Sequence, residues 1–112
     1  MIPEFNNIKD VPRKFSGECL IIYEADGKIK NPFKCWFKNG EIHKEDGPAI
    51  ILENGDWQWW LNDQLHRIGG PAVFVSTQHK FCYYLFGFPK KLENYWNHHL
   101  VLNHKLKMIM DL

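Results

Sequence analysis

No stretch of this chain approaches the roughly 20 consecutive apolar residues that a membrane-spanning helix needs, and the opening MIPEFNNIKD has no basic segment followed by an apolar run of the kind that marks a secretion signal. Cysteine is sparse. Cys19, Cys35 and Cys82 form no CxxC pair and leave one thiol over however they are joined, which points to a reducing compartment and a cytoplasmic location. There is no GxSxG, no phosphate-cradling glycine loop and no HExxH, so the common sequence signatures of hydrolase, nucleotide-binding and zinc-protease chemistry are all missing. What excludes disorder is the apolar content: 45% hydrophobic and 15% aromatic residues in 112 is enough for the core of one domain.

Against that background one phrase is written twice. WFKNGEIHKEDGPA begins at Trp36 and WWLNDQLHRIGGPA begins at Trp59, an offset of 59 − 36 = 23 residues. Trp36 matches Trp59, Asn39 matches Asn62, His43 matches His66, and Gly47-Pro48-Ala49 matches Gly70-Pro71-Ala72. A unit this short cannot bury its own apolar face and must stack on its neighbours, so the repeat sets the fold.

The chain reads as an irregular lead-in over residues 1–16, a β-repeat sheet over 17–87 and a helical cap over 88–112. ECLIIY after Gly17 is short and β-branched, with a turn at Ala25-Asp26-Gly27 and a second extended stretch reaching Phe37. Pro32 lacks a backbone donor, so this strand carries a bulge or edge there or begins after it. Asn39-Gly40 and Asn62-Asp63 tolerate the positive φ of two-residue hairpin loops. AIILE, Asn54-Gly55 and DWQWWL follow as strand, turn and strand. AVFVS, a turn near Thr77 to His79, and KFCYYLF follow in the same way. Aligning Trp57, Trp59 and Leu61 with Phe81, Tyr83 and Leu85 gives a degenerate third copy at an offset of 81 − 57 = 24. The expected fold is mainly β: an antiparallel meander of about six strands with a C-terminal helical cap. Ala49, Ile51, Ala72 and Phe74 fall on one phase and Ile50, Leu52, Val73 and Val75 on the other. Both phases are apolar, and the sheet needs cover. Leu92, Trp96 and Leu100, then Leu102, Leu106 and Ile109, recur at helical spacing after Pro89 and supply it as one or two helices.

The phrase NG-x-[IL]-H-[KR]-x-x-GPA, followed by an apolar strand, a small turn and a Trp-rich strand, resembles the variant MORN-type repeat of bacterial, phage and giant-virus proteins. The likeness spans residues 36–87. It departs from the pattern at Asp63, where Gly is usual, and in the third unit, which lacks the His and Gly-Pro-Ala. The resemblance implies an interaction role, and the likeness to repeats of phage accessory proteins leads us to expect inhibition or sequestration of a host component.

Charge adds a direction. Residues 1–63 hold eight Lys/Arg against eleven Asp/Glu, whereas residues 64–112 hold six against two and five of the six histidines. The basic half reads either as an ordinary solvated surface or as an anion-facing one. The function expected is therefore a non-enzymatic binding module for an anionic small molecule such as a nucleotide, or for a host protein, with nucleic acid less favoured and no membrane partner. Of the consecutive aromatics Trp59-Trp60 and Tyr83-Tyr84, one of each pair faces the core; Trp60 and Tyr84 are taken as the outward pair, with Arg67, Lys90 and Lys91 supplying charge. Two alternatives stand beside this. One is a metal-independent phosphodiesterase using His43 and His66 as acid and base, against which their recurrence in each good copy argues for a shape-keeping role instead. The other is a homo-oligomer formed through open sheet edges. His98, His99 and His104 are wrongly spaced for a metal cage, so no metal and no cofactor is expected.

Overall fold

The computed structural model describes residues 2–22, 24, 25, 28, 29 and 32–111. The turn expected at Ala25-Asp26-Gly27 falls partly outside these residues. Within them the chain is a mostly antiparallel meander of hairpins followed by two helices. The strands are β1 (Glu4–Phe5), β2 (Gly17–Ile21), β3 (Glu24–Ala25), β4 (Lys28–Ile29), β5 (Phe33–Lys38), β6 (Glu41–Ile42) and β7 (Ile50–Ile51). After them come β8 (Trp57–Gln58), β9 (Trp60–Leu61), β10 (Gln64–Leu65), β11 (Val73–Val75), β12 (Lys80–Leu85) and β13 (Phe88–Lys90), then α1 (Leu92–Trp96) and α2 (His99–Met110). The main sheet has nine strands rather than about six, running β1-β2-β5-β7-β8-β11-β12-β13 with β6 paired to β5. The excess arises because the lead-in joins the sheet through parallel β1, because the chain after Asn39-Gly40 returns along β5 as β6, and because the third copy closes its hairpin with β13. β5 begins immediately after Pro32, where the ladder no longer needs the donor that proline lacks.

The copies are joined by a repeated set of hydrogen bonds. Trp36 N–H donates to Ala49 O (2.9 Å), and Trp59 N–H to Ala72 O (2.7 Å). At each His loop the chain reaches across to the following copy: Lys44 N–H donates to Trp60 O (3.1 Å) and Arg67 N–H to Tyr84 O (3.3 Å). The hairpin turns hand over in the reverse direction, Asp63 N–H to Ile42 O (3.0 Å) and Gly87 N–H to Leu65 O (2.8 Å). The third copy has lost the sequence phrase and kept the two handover bonds, at Tyr84 O and Gly87 N–H. Its turn residues, Phe86 and Gly87, adopt φ of 53° and 83°, matching Asn39 and Gly40 at 50° and 78° and Asn62 and Asp63 at 48° and 63°. Positive φ at both central residues lets a two-residue turn follow the right-handed twist of its strands.

The first turn has no preceding copy, and the lead-in takes that place. Gly40 N–H donates to Phe15 O (2.8 Å) and Asn39 N–H to Ser16 Oγ (2.9 Å). At Gly40 an added Cβ collides with the backbone carbonyl of Arg13, whereas at Gly55, where φ is 98°, it meets only the Ser76 Cβ at 3.7 Å. Gly40→Ala is expected to cost about 2 kcal/mol or more, from left-handed strain plus displacement of the lead-in. Gly55→Ala pays the strain alone. Urea denaturation of the two variants checks this, and equal losses would show that the contact with Arg13 is unimportant.

Strand register assigns the faces. One cross-strand row is Cys19, Cys35, Ile50, Gln58, Val73 and Cys82; the next, on the opposite face, is Leu20, Lys34, Ile51, Trp57, Phe74 and Phe81. On the first face Cys19, Ile21, Cys35, Phe37, Ile42 and Ile50 form a buried cluster that also takes in Ala49 immediately before β7, covered by Phe5, Val11 and Phe15 of the lead-in. On the second face Leu85 packs with Tyr95 and Val101 of the two helices, flanked by Ile68, Tyr83 and Trp96. The two ends of the chain thus cover opposite faces at opposite ends of the sheet. Burial pushes the Cys19 thiol up to about 11 and Cys35, with Cys19 beside it, up to about 12, so both are protonated hydrophobes at neutral pH.

A candidate anion-binding cleft

The cap is pinned to the second copy through one side chain. The Tyr95 hydroxyl accepts hydrogen bonds from Gly69 N–H (2.8 Å) and Gly70 N–H (3.0 Å) and donates to Arg67 O (2.7 Å). Gly69 reaches this arrangement with φ of 103°. The first copy has Asp46 at the corresponding place, without the left-handed backbone. On α2, His104 packs so closely over Gly69 that an added Cβ would lie 2.8 Å from its Nε2.

Between this cap and the sheet lies a cleft of about 340 Å³. Its floor is Trp59 and Leu61, one wall is the second His loop with His66, Arg67 and Ile68, and the other is α2 with Leu100, Asn103, His104 and Lys107. Lys44 and Glu45 from the first His loop close its far end. The Arg67 guanidinium lies 3.9 Å over the Trp59 ring and 5.9 Å from that of Trp57, and its Nη1 donates to Pro71 O at 3.0 Å. Burial lowers its pKa from the usual guanidinium value, against a smaller opposing influence of Tyr95 and Tyr83; it stays charged at neutral pH. Among the described residues no carboxylate forms an ion pair with it. Lys44 repeats the arrangement one copy earlier, its Nζ 3.9 Å over Trp36. Glu45, the cleft's acidic residue, already faces His43 Nε2 (3.3 Å) and Lys38 Nζ (3.8 Å). The cleft is therefore cationic at its rim and aliphatic within, the combination that holds an anion with an apolar body.

The repeated histidines have defined partners. His43 Nδ1 accepts from Asn62 N–H (3.1 Å), and His66 Nδ1 accepts from Phe86 N–H (2.9 Å), so each imidazole fastens the hairpin turn of the next copy. Ser16 performs this service for the first turn. His66 is 6% exposed, its ring lies 4.5 Å from that of Phe86, and burial lowers its pKa. These contacts support the shape-keeping reading over an acid/base pair.

The five residues expected to bind do not meet. Arg67 lines the cleft. Trp60 packs instead against the first buried cluster, its indole N–H donating to Gln58 Oε1 at 2.8 Å. Tyr84 and Lys90 come together in a separate groove of about 410 Å³ beside Phe81 and Pro89. Lys91 precedes α1 as its N-cap and makes no side-chain capping bond. Tyr84 and Trp60 share the face of Phe37 by alternation, while Trp59 belongs to the helix-covered face. Of the other cleft residues, Trp59 is the one assigned to the core by the sequence, His104 is expected in a basic patch with the C-terminal lysines, and Lys44 is not expected at a site at all. The offset of 23 that pairs Trp36 with Trp59 also pairs Lys44 with Arg67, and that was the available signal.

Among the described residues no three His, Cys, Asp or Glu side chains converge in a metal-binding group, and no helix is long and apolar enough to cross a membrane. His98 caps α2, its Nδ1 accepting from Leu100 N–H at 3.2 Å. The chain matches no protein-family model, and neither the curated proteins nor the solved structures contain a significant match to it.

Proposed function

We propose that this chain is a non-enzymatic binding module, built from variant MORN-type repeats, that retains an anionic small molecule in the cleft between its second repeat and α2. The observation that carries this reading is Arg67: a half-buried guanidinium clamped between Trp59 and Pro71 O, without a carboxylate partner, in a cleft where Lys44 and Lys107 add charge of the same sign. A partly desolvated cation whose present partners carry no net charge gains from an anionic one. An incoming anion completes the set. Retention without turnover is what a sequestering protein does, and the phage accessory role implied by the repeat phrase takes that form.

Native mass spectrometry of the purified protein, after incubation with a metabolite extract and removal of excess, tests the reading. A retained mass of a few hundred daltons or less is expected. Lys107 is exposed on α2 and can be changed without disturbing packing. Lys107→Glu is expected to weaken retention by about tenfold, the order of one charge-assisted contact, with an unchanged melting temperature. Undiminished retention in that variant would place the ligand elsewhere.

A further inference from the structure

We propose that the ligand of this cleft is an aliphatic monocarboxylate, an acid carried on a flexible hydrocarbon chain, rather than a nucleotide. The inference rests on the reading of the cleft as an anion site and goes on to the body of the ligand. A nucleobase is held by stacking on an open aromatic face, and each aromatic ring lining the cleft already has a partner packed against it. Trp59 carries the Arg67 guanidinium at 3.9 Å, and the His66 ring packs on Phe86 at 4.5 Å. His104 lies against the Gly69 backbone. What remains open is the branched aliphatic surface of Leu61, Ile68 and Leu100, brought together from β9, the second His loop and α2. Such surface takes up methylene groups and offers a purine nothing specific.

The polar end fits a carboxylate. Arg67 has one donor fixed on Pro71 O and, among the described residues, no partner for its other N–H groups, which can form the paired bonds that a planar carboxylate accepts. Lys44 at the far end and Lys107 on the α2 wall stand at the rim, and Glu45 opposes the accumulation of more than one negative charge there. The polar amide of Asn103 is the remaining group in the wall.

The test is isothermal titration of the full chain with butyrate, hexanoate and octanoate, beside 1-octanol, adenosine monophosphate and inorganic phosphate. Affinity is expected to rise roughly two- to fourfold per added methylene, the increment for burying a CH₂ group. Octanoate is expected to bind at least tenfold more tightly than octanol, and Lys107→Glu to remove most of that advantage. Adenosine monophosphate binding more tightly than octanoate, or carboxylates binding without dependence on chain length, would overturn the aliphatic assignment and leave the anion cleft standing. Octanol matching octanoate, with neither phosphate compound bound, would overturn both.

Discussion

Tyr95→Phe is expected to melt roughly 10 °C below the parent chain, although the substitution removes a single oxygen atom. That oxygen accepts from Gly69 N–H and Gly70 N–H and donates to Arg67 O, and Tyr95 is fully buried. Phenylalanine keeps the ring contacts with Tyr83 at 4.7 Å and Trp96 at 5.1 Å. The three backbone groups are left without a partner at a site water enters poorly, and each unsatisfied buried group costs about 1–3 kcal/mol. A total of about 3 kcal/mol follows for the set, allowing for partial hydration of Gly69. At roughly 4 °C per kcal/mol for a domain of this size, the shift should be plain in a thermal scan. Hydrogen exchange should quicken across α1 and α2 while the sheet around Cys35 stays protected. A shift below about 2 °C would mean that the cap is held by apolar packing alone.

His66→Ala should destabilise by about 2–3 kcal/mol, through the loss of the acceptor for Phe86 N–H and of the ring buried against Phe86. His43→Ala, at the same place in the first copy, should lose about 1 kcal/mol, because its partner Asn62 N–H lies at the surface and water can replace the imidazole. The pair separates position in the repeat from burial. It also carries a pH signature. Burial lowers the His66 pKa in the folded chain, so the unfolded chain takes up the proton first. The stability contributed by neutral His66 is therefore complete above about pH 6.5 and declines as pH falls below that toward the lower folded value. Urea denaturation at pH 7.5 and 5.5 should show the parent losing more stability on acidification than His66→Ala. Equal losses would assign the acid sensitivity to other groups.

Much of the fold could be read from the repeated phrase, because hairpin turns and strand alternation are local properties. Asn39-Gly40 announces a turn whatever surrounds it, and the offset between copies predicts which strands adjoin. The site was less legible, for reasons that particular residues make clear. Alternation separates Trp59 from Trp60 without saying which face a helix will cover, and that choice depends on Tyr95 finding Gly69 and Gly70 more than twenty residues away. Lys90 and Lys91 looked available because their surroundings are basic in sequence, while in space Lys90 lines a groove that shares no residue with the Arg67 cleft. The lead-in was opaque because Phe15 and Ser16 imitate a repeat through one carbonyl and one hydroxyl, with none of its sequence.

The handover from each His loop to the next turn makes length a free variable in this architecture. Ser16, His43 and His66 present the same kind of acceptor to the turn that follows, so a copy sees only whether its neighbour offers one. Duplication or excision of the first unit leaves every such bond with a counterpart, and neither the lead-in nor the helices need change to receive it, because the second unit keeps the groups that Tyr95 binds. Because the contacts are mostly between adjacent hairpins, a longer array would also fold without closing longer loops. The cleft, in contrast, is built on the last full copy, where Gly69 admits Tyr95, with Lys44 and Glu45 of the preceding copy at its end. An extended array would gain span while keeping a single binding site at its capped end.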